Sequence, residues 1–302
     1  RTVQGALNHM MENVGADDAA TITIAAGDYR EMLFLSGKNN LTIKGAGADQ
    51  TRIHYENYEG LNGGSEGRGL FLVKGGDMLT LEDLTLENTH RRTGAGDQAE
   101  TIYFNSEGRL IARNAAFISE QDTLLLKGYN WFHNSLVAGN VDFIWGYSTA
   151  TVFEDTEIRS LGDSKSSEAT SSGGYVLQAR TPVETAPGFV FLNSKLTQGA
   201  GPTGVTIEQG TTHLARSGGS NSYFDNVTFI NTAMDTHVAS IGWAYEGINS
   251  QPAPNPKAAS ADAGWREYGS TDLAGSPLDL SQRCDSNGSC YVLSEEEVAS
   301  RF

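Results

Sequence analysis

Two aspartates in the stretch QDTLLLKGYNWFHNSLVAGNVDFIWG, Asp122 and Asp142, stand 20 residues apart among apolar residues that read as strand. A charge in that setting is costly to bury, so each needs a reason to be there. If the spacing brings them together, two carboxyl groups that close cannot both ionise freely, and one keeps its proton. Such a pair supports acid–base or nucleophilic catalysis. A retaining glycosidase sets its carboxyl groups about 5–5.5 Å apart. An ester hydrolase needs instead a nucleophile, an acid for the leaving alcohol and donors for an oxyanion. Gln121, next to Asp122, is one candidate donor, and Gln98 in GDQAETIYF is a second. Strict strand alternation points Gln121 away from Asp122, so both serve one site only if the backbone turns there. Spacing alone leaves both reaction classes open.

Whether the two acids meet depends on the period of the chain around them. Short β-branched or aromatic runs recur, each with an Asn or Asp followed three residues later by an apolar residue. The pattern places corners at Asp83, Asn114, Asn134, Asp155, Asn193 and Asn226, at spacings of 31, 20, 21, 38 and 33 residues. The two shortest spacings suggest the basic repeat, and the others the same repeat with a loop inserted. A repeat of about 20 residues carrying strands, turns and Asn is what a parallel β-helix requires. The competing architecture, a β-sandwich, has strands at similar intervals but no fixed Asx corner. In the β-helix, Asp122 follows Asn114 by 8 residues and Asp142 follows Asn134 by 8. They then occupy one register position on neighbouring strands, roughly 4.8 Å apart by backbone spacing.

Composition agrees with this class. The 302 residues include 35 Gly and only 7 Pro, which favours many short strands joined by turns over long helices. Hydrophobic residues at 38% and charged residues at 19% allow a buried core. No run of apolar residues is long enough to span a membrane. The chain is predicted to form a single parallel β-helix domain over residues 1–302. A capping helix is expected over about 1–15, with loops and a short helix over about 245–302. TVQGALNHMMEN presents Val3, Leu7 and Met10 or Met11 on one face, and Ser294 with Glu297 forms a capping box.

The net charge of −16, from 21 basic against 37 acidic residues, repels phosphate backbones and argues against a nucleic-acid partner. It equally disfavours a densely ionised polyacid. Cys284 and Cys290 are separated by Asn and Gly, so a small disulfide loop is expected, the alternative being two free thiols. A disulfide places the protein outside the cytosol. Two cysteines with no nearby His make no zinc site, and no metal or other cofactor is expected. Sequons stand at Asn40, Asn226 and Asn287.

The motifs themselves carry a resemblance. GNVDFIWG resembles the G-x-V-D-F-I-F-G signature of the pectin methylesterase (pectinesterase) family, and QDTL its other aspartate motif. LTIKGAGADQTRI, QAETIYF, YVLQAR and SIGW are similar, in order, to further family segments, covering about residues 3 to 243. The resemblance implies a right-handed parallel β-helix and hydrolysis of methyl esters of polygalacturonate. It makes Asp142 the nucleophile and Asp122 the acid that protonates methanol and then the base that activates water. Gln121 and Gln98 would stabilise the oxyanion. Arg216, in LARSGG, would orient the nucleophile and keep it ionised, with Arg180 as the runner-up. Ser217 and Gly218 stand where the family has Pro and Trp, and Leu125 where an aromatic is usual, so the substrate groove is altered. Substrate contacts are expected from Trp243, Trp145, Phe143, Arg180 and Gln178. The expected protein is an extracytoplasmic, monomeric carbohydrate esterase acting on methyl-esterified pectin or a related polysaccharide. Two alternatives remain: a glycosidase or lyase of the same fold, and a non-catalytic glycan-binding β-helix.

Overall fold

The computed structural model describes residues 2–284 and 287–302. The chain winds as a right-handed parallel β-helix, and every ladder between its named strands is parallel. Five strands matter for the site: β1 (Ile102–Asn105), β2 (Leu124–His133), β3 (Val141–Glu154), β4 (Tyr175–Ala179) and β5 (His213–Ala215). They stack in that order behind the strands Leu33–Ser36 and Phe71–Lys74. The long strands β2 and β3 change sheet at a bulge beside Gly128, so their second halves pair with Arg109–Arg113 and Gly188–Leu192. A further nine-stranded sheet runs from Gly27–Arg30 to Thr271–Asp272.

Each turn between these last two faces is made by an Asx residue in the left-handed region, which Asn and Asp tolerate because their short polar side chains bond locally. Asp83, Asn114, Asn134, Asp155 and Asn193 all have φ between 49° and 54° or, for Asn134, 45°. Asn134 Nδ2 donates to Asn114 Oδ1 at 2.8 Å, and Asn114 Nδ2 to Asp83 Oδ1 at 3.2 Å. The sixth corner is Asn231 (φ 49°), not Asn226, and its Nδ2 donates to Asn193 Oδ1. Asn226 is instead fully buried, donating to Glu184 O and Ala186 O and accepting from Gly264 N, which leaves its sequon no room for a glycan.

Two residues before successive corners stand Phe132, Phe153, Phe191 and Phe229, in direct register along the ladder. Their rings stack at 4.9, 4.8 and 4.3 Å in the core. Each such pair adds about 0.5–1.5 kcal/mol beyond the area it buries. The expected helix forms as α1 (Val3–Asn13), capped by the Thr2 side chain and burying Val3 and Leu7. It covers an otherwise open sheet edge: Gln4 bonds both backbone groups of Phe34. At the other end the coils continue further than expected, since Trp265–Tyr268 and Cys290–Val292 join the same parallel ladder. Cys284 and Cys290 form a disulfide, and α2 (Glu295–Arg301) carries both halves of its capping box.

Candidate active site

The two aspartates share one register position. Gln121 bridges Val141 and Leu124 pairs with Ile144, an offset of 20 at both ends that places Asp122 directly beside Asp142. Both have left-handed φ, 63° and 45°. The chain therefore turns at each acid, and the strand alternation that would separate Gln121 from Asp122 is broken. Asp142 also lies in a bulge where β3 meets β4, a device that re-aims a side chain. Gly146 ends this tight stretch: a Cβ there would sit 2.2 Å from Leu126 O on β2.

Arg216 follows β5 and reaches back two coils to Asp142. Its Nε donates to Oδ1 at 2.8 Å and its Nη2 to Oδ2, a bidentate grip on both oxygens. The guanidinium lies 4.6 Å over the Tyr175 ring, so it is held from behind. Gln178 Nε2 makes a longer contact to Asp142 Oδ2 at 3.4 Å. Arg180 does not touch Asp142. It bonds Gln178 Oε1 at 2.8 and 3.2 Å and Tyr147 Oη at 2.7 Å, and so holds Gln178 in place.

Asp122 has different partners. It is 7% exposed, and Arg68 Nη2 donates to its Oδ2 at 3.2 Å. Burial pushes its carboxyl well above the usual carboxylate range, and the negative neighbours Glu100 and Asp142 push it further, against Arg68 and Arg216. A proton held there beside an arginine-bound carboxylate is the acid and nucleophile asymmetry that ester chemistry needs. Among the described residues no group of three or more His, Cys, Asp or Glu could hold a metal ion.

The glutamines sit on the same ladder, with Ala99 N donating to Gln121 O. Arg92 Nε donates to Gln121 Oε1 at 3.0 Å, which fixes the amide oxygen and leaves the NH2 end to point elsewhere. Gln98 Oε1 is buried without a hydrogen-bond partner. Two expected groove residues are not in the groove. Phe143 and Trp243 are fully buried in the hydrophobic core, Trp243 stacked on Trp265 at 5.3 Å, so neither side chain can meet a ligand. The large apolar volume of these rings is satisfied inside the coil rather than on its face. Trp145 does face outward, against Tyr103 and Leu125. It lines a cleft of ≈ 420 Å³ with Tyr103, Leu125, Tyr147 and Tyr223. A second cleft of ≈ 670 Å³ is lined by Asn140 and Val141, which precede Asp142 in the chain.

Three further residues hold this geometry together: Arg68, Arg92 and Glu100. Arg68 and Arg92 come from irregular, Gly-rich loops without period. Glu100 was legible in principle, as one more charge inside an apolar strand.

Comparison with known proteins places the chain in a family and supports its fold. The family model described as Pectinesterase matches residues 1–255. Pectinesterase 31 of Arabidopsis thaliana is 29% identical over 234 residues, covering 74% of this chain and 66% of its own length. Putative pectinesterase 14 of the same plant is 29% identical over 194 residues, 62% of this chain and 56% of its own. The chain thus spans between half and two thirds of these relatives. Among solved structures, pectin methylesterase PemA from Erwinia chrysanthemi superposes with TM-score 0.76 at 20% identity, over 100% of this chain and 91% of that one. Pectin methylesterase from carrot gives 0.72 at 21%, over 99% and 86%. With the match running through both aspartate motifs and 255 of the residues, the chain belongs to the pectinesterase family.

Proposed function

We propose that this protein hydrolyses methyl esters of polygalacturonate, releasing methanol, with Asp142 as nucleophile and Asp122 as general acid and base. The observation that carries the reading is the contrast between two stacked acids. Arg216 grips both oxygens of Asp142, while burial drives Asp122 towards its protonated form.

In the first step an oxygen of Asp142 adds to the ester carbonyl carbon, and the carbonyl electrons move onto its oxygen. Amide N–H groups of Gln121 and Gln98 donate to that oxyanion. As the tetrahedral species collapses, the C–OCH3 bond breaks and Asp122 passes its proton to the methoxy oxygen. Methanol leaves, and an acyl–aspartyl anhydride remains on Asp142. Ionised Asp122 then takes a proton from water as the water oxygen bonds the acyl carbon. Asp142 departs as a carboxylate into the grip of Arg216, and Asp122 is protonated again.

The cleft lined by Trp145, Tyr147 and Tyr223, further along the strand that carries Asp142, supports a polymeric sugar substrate. Ser217 and Gly218 stand where the family has Pro and Trp. Ser217 turns inward to Asp225, so the wall on that side depends on Tyr175 and the Tyr147–Tyr223 pair. Gln178 and Arg180 belong to the support of the nucleophile. The disulfide supports a secreted, extracytoplasmic protein. The reading includes a single β-helix domain acting as a monomer, supported by the helix that closes its edge strand.

The test is methanol release from highly methylated pectin by the wild type and Asp142→Asn. Release by the wild type and its loss of at least about 10³-fold in the variant is the expected result. A wild type that releases no methanol from pectin or from other methyl-esterified glycans contradicts the reading.

A further inference from the structure

The acids beside the nucleophile do not end at Asp122. Ile102 pairs with Leu124, and Ala99 N donates to Gln121 O, an offset of 22 that sets Glu100 in register beneath Asp122. Three successive coils therefore carry Glu100, Asp122 and Asp142 at one position. Glu100 is fully buried. Arg68 Nε donates to both of its oxygens, at 2.9 and 3.0 Å, and Arg68 Nη2 to Oε1 at 2.7 Å.

The guanidinium's donors divide among three carboxyl groups. Nε and one N–H of Nη2 go to Glu100, and Nη1 goes to Glu59 at 3.0 Å. The second N–H of Nη2 is left for Asp122 Oδ2. The Trp145 ring lies 5.8 Å from the guanidinium carbon and closes its remaining side. A buried ion pair of this kind is a weak device for stability, since its desolvation offsets much of its attraction. An apolar pair of similar volume would fill the space as well. Its presence beneath the acid calls for a role in that acid's chemistry.

We infer that Arg68 and Glu100 are positioning residues for the esterase reaction, a paired charge that pins one oxygen of Asp122 and balances the carboxyl between its acid and base states. The inference rests on the proposed esterase mechanism. With Oδ2 held by Arg68, Oδ1 is the oxygen that carries the proton to methanol. Burial raises the Glu100 carboxyl too, but the Arg68 fork opposes that push, and as a carboxylate Glu100 opposes a second negative charge on Asp122 and keeps the proton in place before that transfer. After transfer Asp122 is a carboxylate, and the Arg68 N–H already on Oδ2 stabilises it until water returns a proton. One residue favours each half of the cycle.

The experiment compares kcat and KM for methanol release across pH in wild type, Glu100→Gln and Arg68→Lys. In the first step Asp122 must be protonated, so its titration sets the alkaline limb of kcat/KM. Glu100→Gln removes the opposing charge, and the alkaline limb is expected to move down by about one pH unit. Arg68→Lys keeps a charge but loses the fork, and kcat is expected to fall about tenfold with KM unchanged. If either variant fails to fold by circular dichroism, the double variant Arg68→Met/Glu100→Gln, which removes the pair together, takes its place. It is expected to fold and to lose kcat rather than KM. A wild type that releases methanol alongside folded variants whose pH profiles superimpose on it overturns the inference alone. Equal losses in kcat and in substrate affinity with an unmoved limb overturn it too, as a merely structural role would produce them. No methanol from the wild type removes the esterase reading itself.

Discussion

Arg216 crosses from the coil after β5 to take both oxygens of Asp142, bypassing the intervening coil that carries Gln178. The span is possible because Arg216, Gln178, Trp145 and Leu125 form one outward-facing row across neighbouring strands. Only a planar fork can serve both oxygens of one carboxylate in parallel. Arg216→Lys is therefore expected to lower kcat for methanol release about 10²-fold, as the carboxylate loses its fixed direction of attack. KM should change little. A variant with wild-type kcat would show that the grip does not orient the nucleophile.

Asp225 supplies a pH-dependent term in stability. It is buried, accepting from Ser217 Oγ at 2.7 Å and from Asn255 N at 2.8 Å. Burial pushes its carboxyl from 3.8 up to about 7, while those two hydrogen bonds and Arg180 pull the other way. The folded state thus holds a proton that the unfolded chain releases at lower pH. The group's contribution is fully present below about pH 4 and is lost as pH rises towards 7. Urea titrations between pH 4 and 8 should show wild-type stability falling relative to Asp225→Asn over that window, then a constant difference. A difference independent of pH contradicts this account of Asp225.

The phenylalanine column should behave as one packed unit. Phe191 stacks on Phe153 at 4.8 Å and on Phe229 at 4.3 Å, with no exposed surface. Phe191→Ala removes the ring between two others, and the expected loss is about 3–5 kcal/mol in chemical denaturation. A loss under about 1 kcal/mol would mean that the coil collapses freely around the gap.

The parallel β-helix and the acid pair were both legible because one feature, an Asx corner in left-handed conformation, sets the register for everything after it. The misplaced corner shows the limit of that signal. In YFDNVTFINTAM both Asn226 with Phe229 and Asn231 with Met234 satisfy the pattern. Only strand pairing, with Phe191 opposite Phe229, selects Asn231. Phe143 adjoins Asp142, and an aromatic at such a position enters the core as readily as the groove, while Trp243 lies outside the strands and packs on Trp265 in the core, a placement no motif shows. Arg68 and Arg92 were out of reach, because irregular loops have no period from which a contact 54 or 29 residues away can be read.

The proposed esterase mechanism requires Asp122 to hold a proton beside the Arg216-bound Asp142 one coil away. Its most direct test is a titration of the aspartate carboxyl carbons by NMR, with Asp122 assigned by its loss in Asp122→Asn. Asp122 is expected to deprotonate well above the surface aspartates, and to shift down when Asp142 is replaced by Asn. Deprotonation together with the surface aspartates, unmoved by Asp142→Asn, would contradict the account.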